Sequence, residues 1–290
     1  MRESIRKVVD EIKIILGEDY EINCSNVQKN NGTELVGITI RENDIKVAPC
    51  IYLEDSKLES MSANEYATEI IECYRANNVS DFSDMKITEW EWVKQRISAR
   101  LVNTEMNTKL LKKYVNMPFL NLSLIMQVIV KEGKEGVMTT MVDKHMLKIW
   151  NVSEIDVYEA AMENLSNNRE NIVLKSIKDI MQEVLSLDSN DWDNSDNDMI
   201  VLTNKNNSFG ANIITNSEIM SEISHQLGSF YVLPSSIHET ILLKDDGVVS
   251  VDTLLEMVMS VNREVLNKVD FLADNVFYFD CNKKVLSIAI

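Results

Sequence analysis

The residues best suited to chemistry lie together in one stretch, Gly210–Leu243, which carries two of the three histidines in the chain. Ser235, Ser236, His238 and Glu239 cluster there, and His225 precedes them. A hydrolase or transferase needs a nucleophile, a base to activate it and donors for the developing negative charge. Ser235 or Ser236 would be the nucleophile and His225 or His238 the base. The N-terminus of a helix starting after Pro234 would supply the donors. The same residues also have a plainer reading. Ser236 and Glu239 have the spacing of a capping box, in which two side chains satisfy the first N–H groups of a helix and do nothing more. No G-x-S-x-G elbow surrounds the serines.

Metal and nucleotide chemistry have weaker support. His238-Glu239 is followed by Thr240, Ile241 and Leu242, so the second histidine of a zincin pair is missing. His145, His225 and His238 show no paired ligand spacing, and no metal site is expected. Five aspartates between Asp188 and Asp198 invite calcium. An EF-hand starting at Asp191, however, would place Asp196 where glycine is required and Leu202 where the bidentate glutamate is required. With eight glycines in total, the chain contains neither G-x-G-x-x-G nor G-x-x-x-x-G-K-[ST], so no cofactor is expected.

The elements that would position these groups follow from hydrophobic periodicity. Ile5, Val8, Val9, Ile12, Ile15 and Leu16 mark an amphipathic helix closed by Gly17. Strands over Tyr20–Cys24 and Glu34–Arg41 form a hairpin about Asn31-Gly32. A third strand, Ile45–Leu53, is interrupted by Pro49. Tyr66, Ala67, Ile70, Ile71 and Tyr74 then define a helix. Trp90 and Trp92 beside Lys94, Arg96 and Arg100 fit a helix seam of Trp90, Val93 and Ile97, or an aromatic-basic ligand surface. Thr104 is expected to cap a short helix carrying Leu110, Leu111 and Tyr114, and Pro118 to end that segment. A long strand from Leu120 to Val130 turns at Gly133–Gly136 into Val137–Met141.

Further along, Asp143 opens a helix to Trp150, and Ser153-x-x-Asp156 opens the next. A third helix is read over Ile172–Leu187. Strands over Met199–Thr203 and Ala211–Ile214, a helix over Ser217–Leu227 and a strand over Ser229–Leu233 come next, with Gly228 between the last two. A helix carrying Leu254, Val258, Val261 and Val265 leads to a closing hairpin of Val276–Phe279 and Val285–Ile290.

These elements predict an α+β fold. An N-terminal region, residues 1–187, has a helix, an antiparallel meander and further helices. An Asp/Asn-rich linker loop, 188–198, separates it from a C-terminal strand–helix–strand unit with a closing hairpin, 199–290.

Composition narrows the function classes. A net charge of −17 disfavours direct binding to a nucleic-acid backbone, which depends on clustered Lys and Arg. It suits a soluble protein, or an acidic surface that mimics nucleic acid and inhibits a basic partner. No apolar run approaches the roughly 20 residues that span a bilayer, and the first helix is no signal peptide. The four cysteines form no C-x-x-C pair, which points to a reducing compartment and a cytoplasmic location. Fifteen methionines, including Met138, Met141, Met146, Met257 and Met259, fill a core or form an adaptable partner surface.

The stretches Asn30–Arg41, Ile51–Asp55, Leu101–Asn107, Trp150–Glu154, Leu202–Asn204 and Tyr231–Glu239 resemble the domain-of-unknown-function 5688 family of bacteria. The resemblance runs over nearly the whole chain, and Tyr231–Glu239 is its most specific part. It carries over no activity and no catalytic residue. It implies an Asp and an Arg in the long strand, where this chain has Asn121 and Gln127, and an association of some relatives with mobile elements. The expectation is a non-enzymatic cytoplasmic protein binding an unknown protein or small ligand through the Ser235–Glu239 turn or its acidic face. The alternatives are a hydrolase or transferase centred on Ser236 and His238, and an acidic inhibitor of a nucleic-acid-binding partner.

Overall fold

Four apolar residues at helical spacing, Ile5, Val8, Val9 and Ile12, are buried along one face of α1 (Glu3–Leu16). The helix stops at Gly17, whose φ of 79° suits a residue without Cβ and whose N–H bonds Lys13 O. This description comes from a computed structural model covering residues 2–42, 48–76, 85–133, 136–180 and 199–290. It divides into two units, Met1–Lys86 and Ile87–Ile290.

In the first unit α1 packs on α3 (Ala63–Ala76), which buries Tyr66, Ala67, Ile70, Ile71 and Tyr74. Ser62 and Glu65 cap α3 reciprocally: the Glu65 carboxylate accepts from Ser62 N at 3.0 Å, and Ser62 Oγ accepts from Glu65 N at 3.3 Å. An antiparallel sheet runs β1 (Tyr20–Gln28), β2 (Glu34–Glu42), β3 (Cys50–Tyr52), with the short α2 (Asp55–Ser60) after it. The β1–β2 turn uses positive φ at Asn31 (55°) and Gly32 (69°), as expected from its sequence. Of the expected third strand, Cys50–Tyr52 is extended and residues 43–47 lie outside those described.

The second unit contains two antiparallel sheets. In the first, β6 (Leu122–Gly133) pairs along one edge with β4 (Ile97–Asn103). Along its other edge it pairs in succession with β5 (Asn116–Phe119) and β7 (Gly136–Met141). Pro118 therefore does not end the structure but sits in β5 opposite Ser123, in a short strand that pairs only with β6 among the described strands. Leu120 is the turn residue between β5 and β6, at φ 53° and exposed, not the first residue of the apolar face. The short helix α5 (Thr108–Lys113) starts after Asn107, and Thr104 bonds Ser123 Oγ instead of capping it. Trp90 and Val93 lie on a single helical turn, α4 (Trp90–Lys94), whereas Ile97 already belongs to β4.

The second sheet has the order β13–β12–β10–β11–β9–β8, built from β8 (Ile172–Ser176), β9 (Ile200–Asn204), β10 (Phe230–Leu233), β11 (Thr240–Lys244), β12 (Phe277–Asp280) and β13 (Val285–Ile288). Two sequence expectations are corrected here. Ile172–Ser176 is a strand, not the start of a helix; of the rest of that reading, residues 177–180 are helical and 181–187 lie outside the described residues. Ala211–Ile214 is not a strand but part of a buried 3-10 segment, Gly210–Thr215. The expected linker 188–198 also lies outside the described residues, and β8 and β9, which flank it in sequence, are paired neighbours.

The main core draws on both sheets, on α6 (Lys144–Trp150), on α7 (Glu154–Asn167) and on α8 (Ser217–Leu227). Alternation along β10 buries both of its faces. Phe230 and Val232 enter this core, while Tyr231 and Leu233 face a second cluster with Leu254 and Val258 of α9 (Val251–Glu264). Each fully buried side chain of this size contributes about 1.5–3 kcal/mol. Asp143 caps α6 and the Ser153/Asp156 box caps α7, as the sequence predicts.

The outer edge of β4 is closed by side chains rather than by a strand. Asn164 Nδ2 from α7 donates to Ile97 O at 2.8 Å, and Asn212 Nδ2 from the 3-10 segment donates to Ala99 O at 2.7 Å. These two alternate carbonyls, of buried residues and pointing away from β6, thus keep their hydrogen bonds.

Candidate functional site

The segment after Pro234 is a hairpin loop between β10 and β11, paired in register from Leu233↔Ile241 to Phe230↔Lys244. No helix follows Pro234. The reading of Ser236 and Glu239 as a helix capping box, and of a helix N-terminus as oxyanion donor, is therefore corrected. Thr240-Ile-Leu-Leu-Lys244 is a β-strand whose Thr240, Leu242 and Leu243 are buried. Inside the loop, Ser236 N–H donates to Glu239 O at 3.1 Å, and Ser236 Oγ accepts from His238 N–H at 3.0 Å. The pairing of Ser236 with positions further along is real, but it closes a loop.

Around His238 the structure gathers residues from distant parts of the chain. Phe209, at φ 59°, donates its N–H to His238 Nδ1 at 3.2 Å, and its ring lies 5.5 Å from the imidazole at an interplanar angle of 31°. Because Nδ1 accepts, the neutral ring carries its proton on Nε2, which faces Asp270 Oδ1 at 3.2 Å. Asp270 also holds the loop through its main chain, since its carbonyl accepts from Ile237 N–H at 2.8 Å. Thr203 Oγ1 donates to His238 O at 2.9 Å. Gly210 lies against the same carbonyl, close enough that a Cβ would stand 2.6 Å from it, which is why glycine occupies this position.

The Arg100 guanidinium also packs on Phe209, 4.2 Å from the ring centroid. Arg100 also donates to Gln127 Oε1 from Nε (2.8 Å) and Nη2 (2.6 Å), and to Thr139 Oγ1 at 2.9 Å. Gln127 is buried, so in this chain the long strand offers a neutral carbonyl to Arg100. Asn121 bonds Asn275 Oδ1 at 2.5 Å.

The five sequence candidates separate into three environments. Ser236 and His238 are adjacent, yet Ser236 Oγ meets the His238 main chain and not its ring. Ser235 and Glu239 are half-buried in the same loop. His225 is exposed near the C-terminal end of α8. Phe209, Asp270, Arg100 and Gln127 were not readable as partners. Their distances in sequence are large, and they meet through the β4–β6 pairing, which sets Arg100 beside Gln127, and through the His238 loop, which meets Phe209 and Asp270. The positive φ at Phe209 and the contact-limited Gly210 are features of three-dimensional packing with no local motif.

Among the described residues, no group of three or more His, Cys, Asp or Glu side chains is placed to hold a metal ion. None of the helices described is long and apolar enough to cross a membrane. With the fold in hand, a scan against family models matches residues 1–281, covering both units. The chain belongs to the family of unknown function DUF5688. No curated protein and no solved structure matches it. The Tyr231–Glu239 stretch that carried the resemblance is therefore β10 and the loop that encloses His238.

Proposed function

We propose that the protein is a non-enzymatic binding or interaction protein. The observation that carries this reading is the double commitment of His238: Nδ1 accepts a main-chain N–H, and Nε2 faces a carboxylate. A general base needs one ring nitrogen free to take a proton from the nucleophile. Here both are spent on holding the loop. Ser236, buried and oriented by the His238 N–H, has no base against its hydroxyl among the described residues. A cytoplasmic location fits the cysteine usage and the acidic composition.

An acid–base role for His238 with Asp270 is the opposing reading, since an imidazole–carboxylate pair is a common orienting device. The acidic-inhibitor reading draws its support from the net charge. Against a single acidic stripe, some acids on the described surface are paired with bases, as in Arg2–Asp55, Lys7–Glu3 and Arg169–Glu218.

A fluorophosphonate probe followed by peptide mass spectrometry tests the reading directly. No adduct is expected on Ser235 or Ser236. A stoichiometric adduct on either serine, lost in His238→Ala, would overturn it in favour of the hydrolase.

A further inference from the structure

A cleft on the second unit, lined by none of the residues Ser235–Glu239, has the composition of a small-ligand site. Its lining combines apolar Ile97, Ile129, Leu165 and Ile213 with a majority of amide side chains among its polar residues. The cavity volume is about 130 Å³, well below the roughly 300–1,000 Å³ of sites for drug-sized molecules, so only a small metabolite fits.

Three features of the lining specify the ligand. First, Asn164 and Asn212 spend their NH2 groups on the edge of β4, which fixes both amides and leaves each side-chain carbonyl without a hydrogen bond among the described residues. Asn212 is 93% buried, so its orientation is held by packing as well. Two fixed acceptors call for a donor-rich group.

Second, Arg96 is positioned rather than freely solvated. Its guanidinium lies 4.0 Å from the Trp92 ring centroid and donates to Trp92 O at 3.0 Å, with no carboxylate partner among the described residues. Lys205, also in the lining, is likewise without one. These cations suit a carboxylate. Third, Glu132, held by Asn206 at 3.2 Å, adds one negative group to the same lining.

We infer that this cleft binds a free aliphatic α-amino acid. The carboxylate meets Arg96 and Lys205, the ammonium meets Glu132 and the amide oxygens of Asn164 and Asn212, and the aliphatic side chain covers the isoleucines and leucine of the lining. A simple anion would leave the acceptors unused, and a simple amine would leave the cations unused. This inference rests on the reading of the chain as a binding protein and gives that reading a location and a ligand class.

The test is a titration of the full chain by calorimetry and by 1H–15N NMR, with L-valine and L-leucine against isovalerate and isobutylamine, each to about 10 mM. Saturable binding of an amino acid is expected, with the one-ended analogues weaker by about tenfold or more. Arg96→Gln and Lys205→Ala, both in the cleft lining, should weaken binding to a similar extent while leaving the thermal midpoint near that of the parent. Absence of saturable binding, unchanged affinity in both variants, or shifts confined to the His238 loop would overturn the assignment. Chemical consumption of the bound amino acid would sink the non-enzymatic reading while leaving the cleft assignment standing.

Discussion

Phe209 and His238, 29 residues apart, are joined twice: the main-chain N–H of Phe209 enters the imidazole at Nδ1, and the two rings lie against each other. This contact selects the Nε2–H tautomer and pairs it with Asp270. A long-range 1H–15N spectrum should therefore show a single neutral tautomer with the proton on Nε2. His238→Ala should lower unfolding stability by about 1–3 kcal/mol in urea titrations, the usual cost of losing part-buried hydrogen bonds together with ring packing.

Gly210→Ala should be among the most damaging single-methyl additions. The new Cβ would stand 2.6 Å from His238 O, 2.8 Å from Thr203 Oγ1 and 3.0 Å from Asn204 N, two of which are main-chain atoms. A loss of about 1–3 kcal/mol is expected from overpacking, with a displaced His238 resonance. Gly228→Ala, at φ 73° and ψ −145° with open space around it, should cost about 1–3 kcal/mol through backbone strain alone and leave His238 unmoved.

Asn212→Asp keeps the shape of the side chain and replaces the donor to Ala99 O with an acceptor. Two oxygens would face each other in a buried site. Denaturant titration should show a loss of about 2–4 kcal/mol, larger than for Asn212→Ala, because a buried unpaired charge adds its own desolvation cost.

Tyr74 gives a pH signature in the first unit. Burial, reinforced by the Glu42 charge and by Tyr20, pushes its phenol up to about 12, and its hydroxyl has no hydrogen-bond partner among the described residues. An unfolded tyrosine ionises near pH 10. Between those values the unfolded state releases a proton that the folded state retains, so this contribution is complete below pH 10 and is lost as pH rises to about 12. At about pH 11 the parent should have lost roughly 1 kcal/mol more than Tyr74→Phe, relative to about pH 9. At neutral pH the substitution should be neutral or stabilising, since it removes an unsatisfied buried group.

Elements with punctuation at both ends were legible in the sequence. The helix Ser217–Leu227 has Asn216 as its side-chain cap and Gly228 as its stop, and Ser153 and Asp156 cap α7 as their spacing predicts. Short apolar runs without a period were not legible. Thr240–Lys244 followed a serine-x-x-glutamate spacing that also closes a loop, Ile172–Ser176 preceded a helical pattern, and Ala211–Ile214 is as compatible with a strand as with a 3-10 turn. The candidate site was half legible. Ser236 and His238 stood out by residue type, whereas Asp270 and Phe209 acquire their roles from strand pairing and from a positive φ that no local motif announces.

The amide closure of β4 also sets an order of events during synthesis. Ala99 O finds its partner 113 residues later in the chain, at Asn212. At ribosomal rates of roughly 5–20 residues per second, the outer edge of β4 stays open for on the order of ten seconds after the strand itself has emerged. During that interval the nascent protein presents a sheet edge that another chain could occupy. Its exposure to misassembly is therefore decided by how promptly the second half of the polypeptide arrives.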